Sequence, residues 1–126
     1  NTTVEGQVGV NGGKGFDVSI TGTTASLSVG GLLGHATGNA SSTIAVAGCH
    51  AYEFHITHTG AVSSANIGGL IGNMSNYVTV NSSNAKSVYA TFNSTTTSLY
   101  LGGLVGQSSG GTANTNSVTG NTVTNF

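Results

Sequence analysis

Three of the chain's four histidines and one of its three acids fall within nine residues, His50-Ala51-Tyr52-Glu53-Phe54-His55-Ile56-Thr57-His58. Imidazole and carboxylate are the groups that ligate metals and move protons near neutral pH. On an extended strand Glu53 and His55 share one face, about 7 Å apart. His50 and His58 then fall on the other face, at opposite ends. That spacing is not the helical H-E-x-x-H zinc motif, and two ligands need more from a neighbouring strand, so the tract reads as an exposed polar face. Gly12-Gly13-Lys14-Gly15-Phe16-Asp17 opens like the calcium nonapeptide G-G-x-G-x-D-x-U-x. Ser19 takes the position of its large aliphatic residue, Lys14 repels a cation, and only one copy is present, so a glycine-rich turn is expected. Glu5, Asp17 and Glu53 are too scattered to suggest the facing carboxylates of a glycosidase. No serine sits in a G-x-S-x-G elbow. Thr-x-Thr pairs at Thr21, Thr57, Thr95 and Thr122 share no common offset and do not predict a flat threonine ladder. The expectation is a non-enzyme without metal or cofactor.

Modification chemistry is better represented. Asn1, Asn39, Asn73, Asn81 and Asn93 each open an N-x-Ser/Thr sequon, the acceptor of N-linked glycan. Five is barely more than chance supplies in a chain so rich in Asn, Ser and Thr, so position carries more weight than number. Asn39 and Asn73 follow similar glycine-rich phrases and are expected in exposed polar turns. Only Glu5, Lys14, Asp17, Glu53 and Lys86 are charged, 4% of 126 residues where ordinary domains carry about 25%. A net charge of −1 offers no footprint for nucleic acid or anionic lipid. No apolar run approaches the roughly 20 residues of a transmembrane helix. A surface this neutral is weakly protected against self-association. Either attached glycans keep it soluble or it is made to associate, and both place the chain outside the cytosol, extracellular or at a cell surface. The single thiol, Cys49, excludes an internal disulfide framework and is expected as a small buried residue. The chain opens on Asn1 with no signal-peptide core, as a processed chain or a piece of a longer one would.

The elements that must carry these groups are announced by a repeated phrase: Ser26–Gly34 (SLSVGGLLG), Ser64–Gly72 (SANIGGLIG) and Ser98–Gly106 (SLYLGGLVG). The leading glycines Gly30, Gly68 and Gly102 recur at two unequal intervals of about 35 residues, a period typical of stacked repeats. Between the phrases, short alternating runs such as Thr43–Ala47, Tyr52–Thr57, Tyr77–Val80 and Val88–Phe92 predict strands, with Tyr52, Phe54 and Ile56 on one face. Helical periodicity is absent throughout. About three strands per unit, separated by Gly/Ser/Asn turns, describe one coil of a parallel β-solenoid. Leu32, Leu70 and Leu104 would then stack about 4.8 Å apart, with the glycines as corners where φ is positive or backbones approach closely. An antiparallel β-sandwich is the alternative, but it gives no reason for one phrase to recur. The organisation expected is residues 1–25 as a degenerate repeat or polymerisation segment, in which Val4–Gly9 loosely echoes the phrase, and residues 26–126 as three repeats of one solenoid.

The core Gly31-Leu32-Leu33-Gly34, Gly69-Leu70-Ile71-Gly72 and Gly103-Leu104-Val105-Gly106, with its alternating strand before and its polar segment after, resembles the GLUG repeat. That family occurs in bacterial and protist adhesin-like proteins and in non-catalytic regions of secreted peptidases. The resemblance covers roughly residues 26–126, implies an extracellular, repetitive, surface or adhesive role, and transfers no catalytic residue. The unequal spacings depart from a regular repeat. The function expected is a structural subunit of an extracellular filament or surface layer. Its partners would be copies of itself or further repeats of the same chain, stacked end to end, together with attached glycans. An adhesin stalk or carbohydrate-binding module is the alternative, with Tyr52, Tyr77, Tyr89 and Tyr100 as sugar-stacking surfaces.

Overall fold

A computed structural model describes residues 2–13, 15–93, 95–109, 116–124 and 126. The first coil contains β1 (Thr2–Val4), β2 (Gln7–Val8), β3 (Phe16–Thr21), β4 (Thr24–Gly30) and β5 (Leu33–Thr37). The second contains β6 (Ile44–Ala47), β7 (His50–Thr59), β8 (Val62–Gly68) and β9 (Ile71–Ser75). The third contains β10 (Val78–Asn81), β11 (Asn84–Phe92), β12 (Thr96–Gly102) and β13 (Val105–Ser109). A fourth begins with β14 (Ser117–Thr119) and β15 (Thr122–Thr124).

Every ladder between these strands is parallel. Sheet A runs β1-β6-β10-β14; sheet B joins β2 and β3, through β7 and β11, to β15. Sheet C runs β4-β8-β12 and sheet D β5-β9-β13. The protein is a β-solenoid of about three turns, not an antiparallel sandwich. The one antiparallel pairing among the described residues is the isolated bridge Asn39–Ser42.

The glycine phrase sets the register. Gly30 pairs with Gly68 and Gly68 with Gly102, so the two unequal spacings are one coil each. The difference in length is absorbed at the corner from sheet D to sheet A. That corner takes residues 38–43 after β5 but only 76–77 after β9. Sheet B takes up more slack in the first coil, where the described residues 9–13 and 15 lie outside the strands between β2 and β3. In the second and third coils the same point is a single left-handed residue, Glu53 (φ 52°) or Ser87 (φ 57°). This kink turns Ala51 and Phe54 both inward, so Phe54 and Ile56 face the core while Tyr52, expected beside them, does not. The echo at Val4–Gly9 also finds a different place. It aligns with the corner from sheet A to sheet B, in the columns Val4–Val46–Val80–Val118 and Val8–Ala51–Ala85–Val123, and not with the glycine phrase. β1, β2 and β3 thus belong in register to the first coil.

The core is a set of such columns. Leu70 is fully buried, and its backbone links Leu32 below and Leu104 above: the amide of Leu32 donates to the Leu70 carbonyl at 3.0 Å, and that of Leu70 to the Leu104 carbonyl at 2.9 Å. The Gly-Gly pairs serve close approach rather than unusual φ, since none of the six has positive φ. A Cβ on Gly30 would stand 2.7 Å from the Ile71 Cα, and one on Gly69 would meet the Gly103 carbonyl and, at 2.6 Å, the Ala85 Cβ. Glycine is required because the turn lies against sheet B on one side and against the next coil on another.

Left-handed geometry is used instead at the corner from sheet A to sheet B, where Gly48 (φ 60°), Ser82 (φ 48°) and Gly120 (φ 62°) are equivalent. Ser82 carries the cost of a side chain in that region. Ser82→Gly is therefore expected to raise stability by about 0.5–1 kcal/mol, measurable as a higher urea midpoint at unchanged m-value.

Candidate functional site

The chemistry-bearing residues do not converge. His55 is exposed and its Nδ1 lies 3.3 Å from Asp17 Oδ1, with Tyr89 edge-on to its ring at 4.9 Å between centroids. Both contacts follow from register, since Asp17, His55 and Tyr89 form one column on the outer face of sheet B. Glu53 sits at the kink and is not part of that column. His50 stacks on Tyr52. His58 departs from the expected exposed face. It is fully buried in the column Ile20–His58–Phe92, stacked on Phe92, and neither ring nitrogen has a hydrogen-bond partner. A buried imidazole between two apolar neighbours is a packing element. Among the described residues no three His, Cys, Asp or Glu gather as a metal site. Lys14 of the nonapeptide-like stretch lies outside the described residues.

The sequon asparagines divide by location. Asn39 is exposed in the loop after β5, where its Oδ1 accepts from the amides of Ser41 and Ser42 at 2.9 Å. Asn93 is exposed just past β11, and Asn81 ends β10 half-buried. Asn73 corrects the expectation of a polar turn. It lies inside β9, paired with His35 and Gln107 on either side, and its Oδ1 is buried. Asn1 lies outside the described residues. The tyrosines do not form a row: Tyr52 aligns with Lys86, Tyr89 with His55, Tyr100 with Asn66, and Tyr77 turns the corner into sheet A.

A polar spine runs the length of the molecule at the corner from sheet A to sheet B. The Cys49 thiol donates to the Val4 carbonyl at 3.2 Å, joining coils one and two. The Cys49 amide donates to Ser83 Oγ at 3.1 Å, and that hydroxyl donates to the Asn81 carbonyl at 2.8 Å. The Ser83 amide donates to Asn121 Oδ1 at 2.8 Å, and Asn121 Nδ2 donates to the Val80 carbonyl at 2.9 Å. Asn116 clips the start of β14 in the same manner, accepting from the Val78 amide at 3.1 Å and donating to the Ser109 carbonyl at 3.1 Å. Sequence reasoning picked out Cys49 only as a buried thiol and missed Ser83 and Asn121. The signal was present, because Cys49, Ser83 and Asn121 are spaced by one coil each and all three side chains are short and polar.

Burial raises the pKa of the Cys49 thiol. The native thiol therefore keeps its proton at pH values where the unfolded one has lost it, and stability declines as pH rises above the ordinary thiol value of about 8.5. This increment of alkaline destabilisation is expected to vanish in Cys49→Ala, compared by urea denaturation at pH 7 and pH 10. The native thiol should also resist a thiol-specific reagent until the chain is unfolded.

The remaining candidate is the pair of open ends. Ala65 and Ile67 in the middle strand of sheet C are 0% exposed, but Leu99 and Leu101, next in the same columns, are 41% and 44% exposed. Among the described residues the fourth coil covers sheet A and the first half of sheet B, and no ladder pairs Val88–Phe92, β12 or β13 on their upper side. At the opposite end Phe16 is 43% exposed and Leu27, Val29 and Leu33 are half-buried. Natural sheet edges are blunted by lysine, proline or inward charge. Among the strands of the upper end, β12, β13, β14 and β15 contain no charged residue and no proline. Among the described residues no helix is long and apolar enough to cross a membrane. No family model matches the chain, and no curated protein or solved structure matches it.

Proposed function

We propose that the protein is a structural subunit of an extracellular filament or surface layer that assembles by end-to-end β-stacking. The observation that supports this is the uncovered edge of β12 and β13 among the described residues, with half-exposed leucines beside strands without charge or proline, an edge that a second copy or a further repeat of the same chain would cover. Such an end gains both apolar burial and ladder hydrogen bonds by taking another coil. The two ends differ, so the contact is heterologous and propagates as an open filament rather than closing a ring. The resemblance to the GLUG repeat and the near absence of charge agree with a surface location. No enzymatic activity or cofactor is assigned. N-linked glycan on Asn39 and Asn93, exposed outside the sheets, would keep the sides of the filament soluble while leaving its ends free.

Negative-stain microscopy and sedimentation of the purified chain test this directly. Unbranched fibres that lengthen with protein concentration are expected, whereas a monomer at every concentration would reject the assembly. Intact mass before and after deglycosylation tests the sequons, with Asn39 and Asn93 expected to carry sugar ahead of Asn73.

A further inference from the structure

One side-chain contact on the outside of sheet B spans two coils. Lys86 Nζ donates to Asn11 Oδ1 at 2.8 Å. Lys86 lies in β11 beside Tyr52 of β7, and β2, which leads to Asn11, flanks β7 on its other side. Lys86 therefore reaches from the third coil past the second to the first, across two spacings of about 4.8 Å. Its acceptor, Asn11, is the chain's only asparagine followed by glycine.

Asn11 and Gly12 form the centre of a β-turn. The Gly13 amide donates to the Val10 carbonyl at 2.9 Å, and Gly12 adopts φ 67°. The turn's hydrogen bond thus uses the Gly13 amide and not that of Gly12. Asn11, Gly12 and Gly13 are all exposed, and even a Cβ added to Gly12 would have nothing within 4 Å. Water and hydroxide reach this turn from outside.

We infer that Asn11 is a site of spontaneous deamidation, with Lys86 promoting the reaction and pairing with its product. The co-reactant is water. The Gly12 amide nitrogen gives its proton to hydroxide and attacks Cγ of Asn11. The N–Cγ bond forms, the Cγ–Nδ2 bond breaks, and Nδ2 leaves as ammonia with a proton drawn from water, which returns the hydroxide. Water then opens the five-membered succinimide at either carbonyl. Opening at Cγ leaves aspartate on the original backbone; opening at the main-chain carbonyl leaves isoaspartate, with the backbone routed through the side chain. Nothing is oxidised or reduced.

Glycine after the asparagine matters because a Cβ there crowds the attacking nitrogen. Asn39 is followed by Ala40, and its Oδ1 is already held by the amides of Ser41 and Ser42. Asn116 and Asn121 spend their side chains on the clips to neighbouring coils. At Asn11 the attack gathers negative charge on Oδ1, where the ammonium of Lys86 already stands. Afterwards that oxygen belongs to a carboxylate, and a hydrogen bond to a neutral acceptor becomes an ion pair. The chain thus gains a charge on a nearly neutral surface and a firmer tie between its first and third coils. None of this depends on end-to-end assembly.

The test is peptide mapping by mass spectrometry of the purified full-length chain held at pH 6 and at pH 9, with an isoaspartyl methyltransferase assay for the second product. Position 11 is expected to exchange amide for acid ahead of every other asparagine, and faster at pH 9, because the attacking nitrogen must lose a proton. Gly12→Ala should suppress the exchange. Lys86→Met, which removes the cation but keeps a long stem, should slow it severalfold, and Lys86→Arg should restore it. Asn11→Asp imitates the main product without altering Lys86. Its urea midpoint should exceed the native one at low salt and lose the excess at high salt. An unaltered Asn11 at pH 9, or conversion no faster than at Asn81 and Asn116, overturns the site. Equal rates in the native chain and Lys86→Met, or no salt-sensitive gain in Asn11→Asp, overturn the part given to Lys86. A product that has lost ammonia without gaining water, and is linked to Lys86, assigns the pair to an amide cross-link and overturns deamidation.

Discussion

Gly69→Ala is expected to destabilise the protein by about 3 kcal/mol, enough to leave a domain of ordinary stability largely unfolded at modest urea concentrations. The new methyl group has no direction in which to relax. It meets the Gly103 carbonyl of the next coil, the Ala85 Cβ at 2.6 Å and a Val88 methyl at 3.1 Å. Two of these atoms are backbone or the first atom of a side chain, so neither can rotate away. Gly48→Ala is the informative comparison. Gly48 has φ 60° but nothing within 4 Å of the added carbon, so only backbone strain opposes it, about 1 kcal/mol. Urea unfolding of both variants separates the two uses of glycine in this chain, and equal losses would refute the assignment of Gly69 to close packing.

Leu70→Ala is expected to cost about 2–5 kcal/mol. Leu70 is 0% exposed between Leu32 and Leu104, and its removal leaves a void that the backbone ladders above and below hold open. Leu32, at the lower end of the column and half-buried, should lose roughly 1–2 kcal/mol on the same change. The gradient is the signature of a stack, because the middle member is covered from both sides.

The solenoid was legible because its cause is local and repeated. Three copies of one phrase, each about a coil's length from the next, require three equivalent environments, and the leucine column follows from stacking like on like. Alternation put Phe54 and Ile56 on one face, and both are buried in the core. It failed at Tyr52, where left-handed Glu53 reverses the alternation of the strand, a conformation that nothing in the residue type announces. At His58 alternation was right, placing it on the face of Phe54 and Ile56, and it was the reading of the tract as an exposed polar face that failed, because the column neighbours Ile20 and Phe92 come from other coils. Asn73 was misplaced for the opposite reason: its sequon looks like a turn, but β5 and β9 already lie in ladder register there.

By itself, then, the amino-acid sequence determined the class of fold, the length of each coil and the residues at its tightest turn, since these depend on patterns that recur within one chain. Tertiary structure alone decided which polar side chains tie one coil to the next and which strands are left uncovered. Cys49, Ser83 and Asn121 become a spine only when residues a coil apart are laid one over another. That Leu99 and Leu101 continue the columns of Ala65 and Ile67 likewise becomes visible only when β12 is laid on β8, and no window of sequence shorter than a whole coil contains that fact.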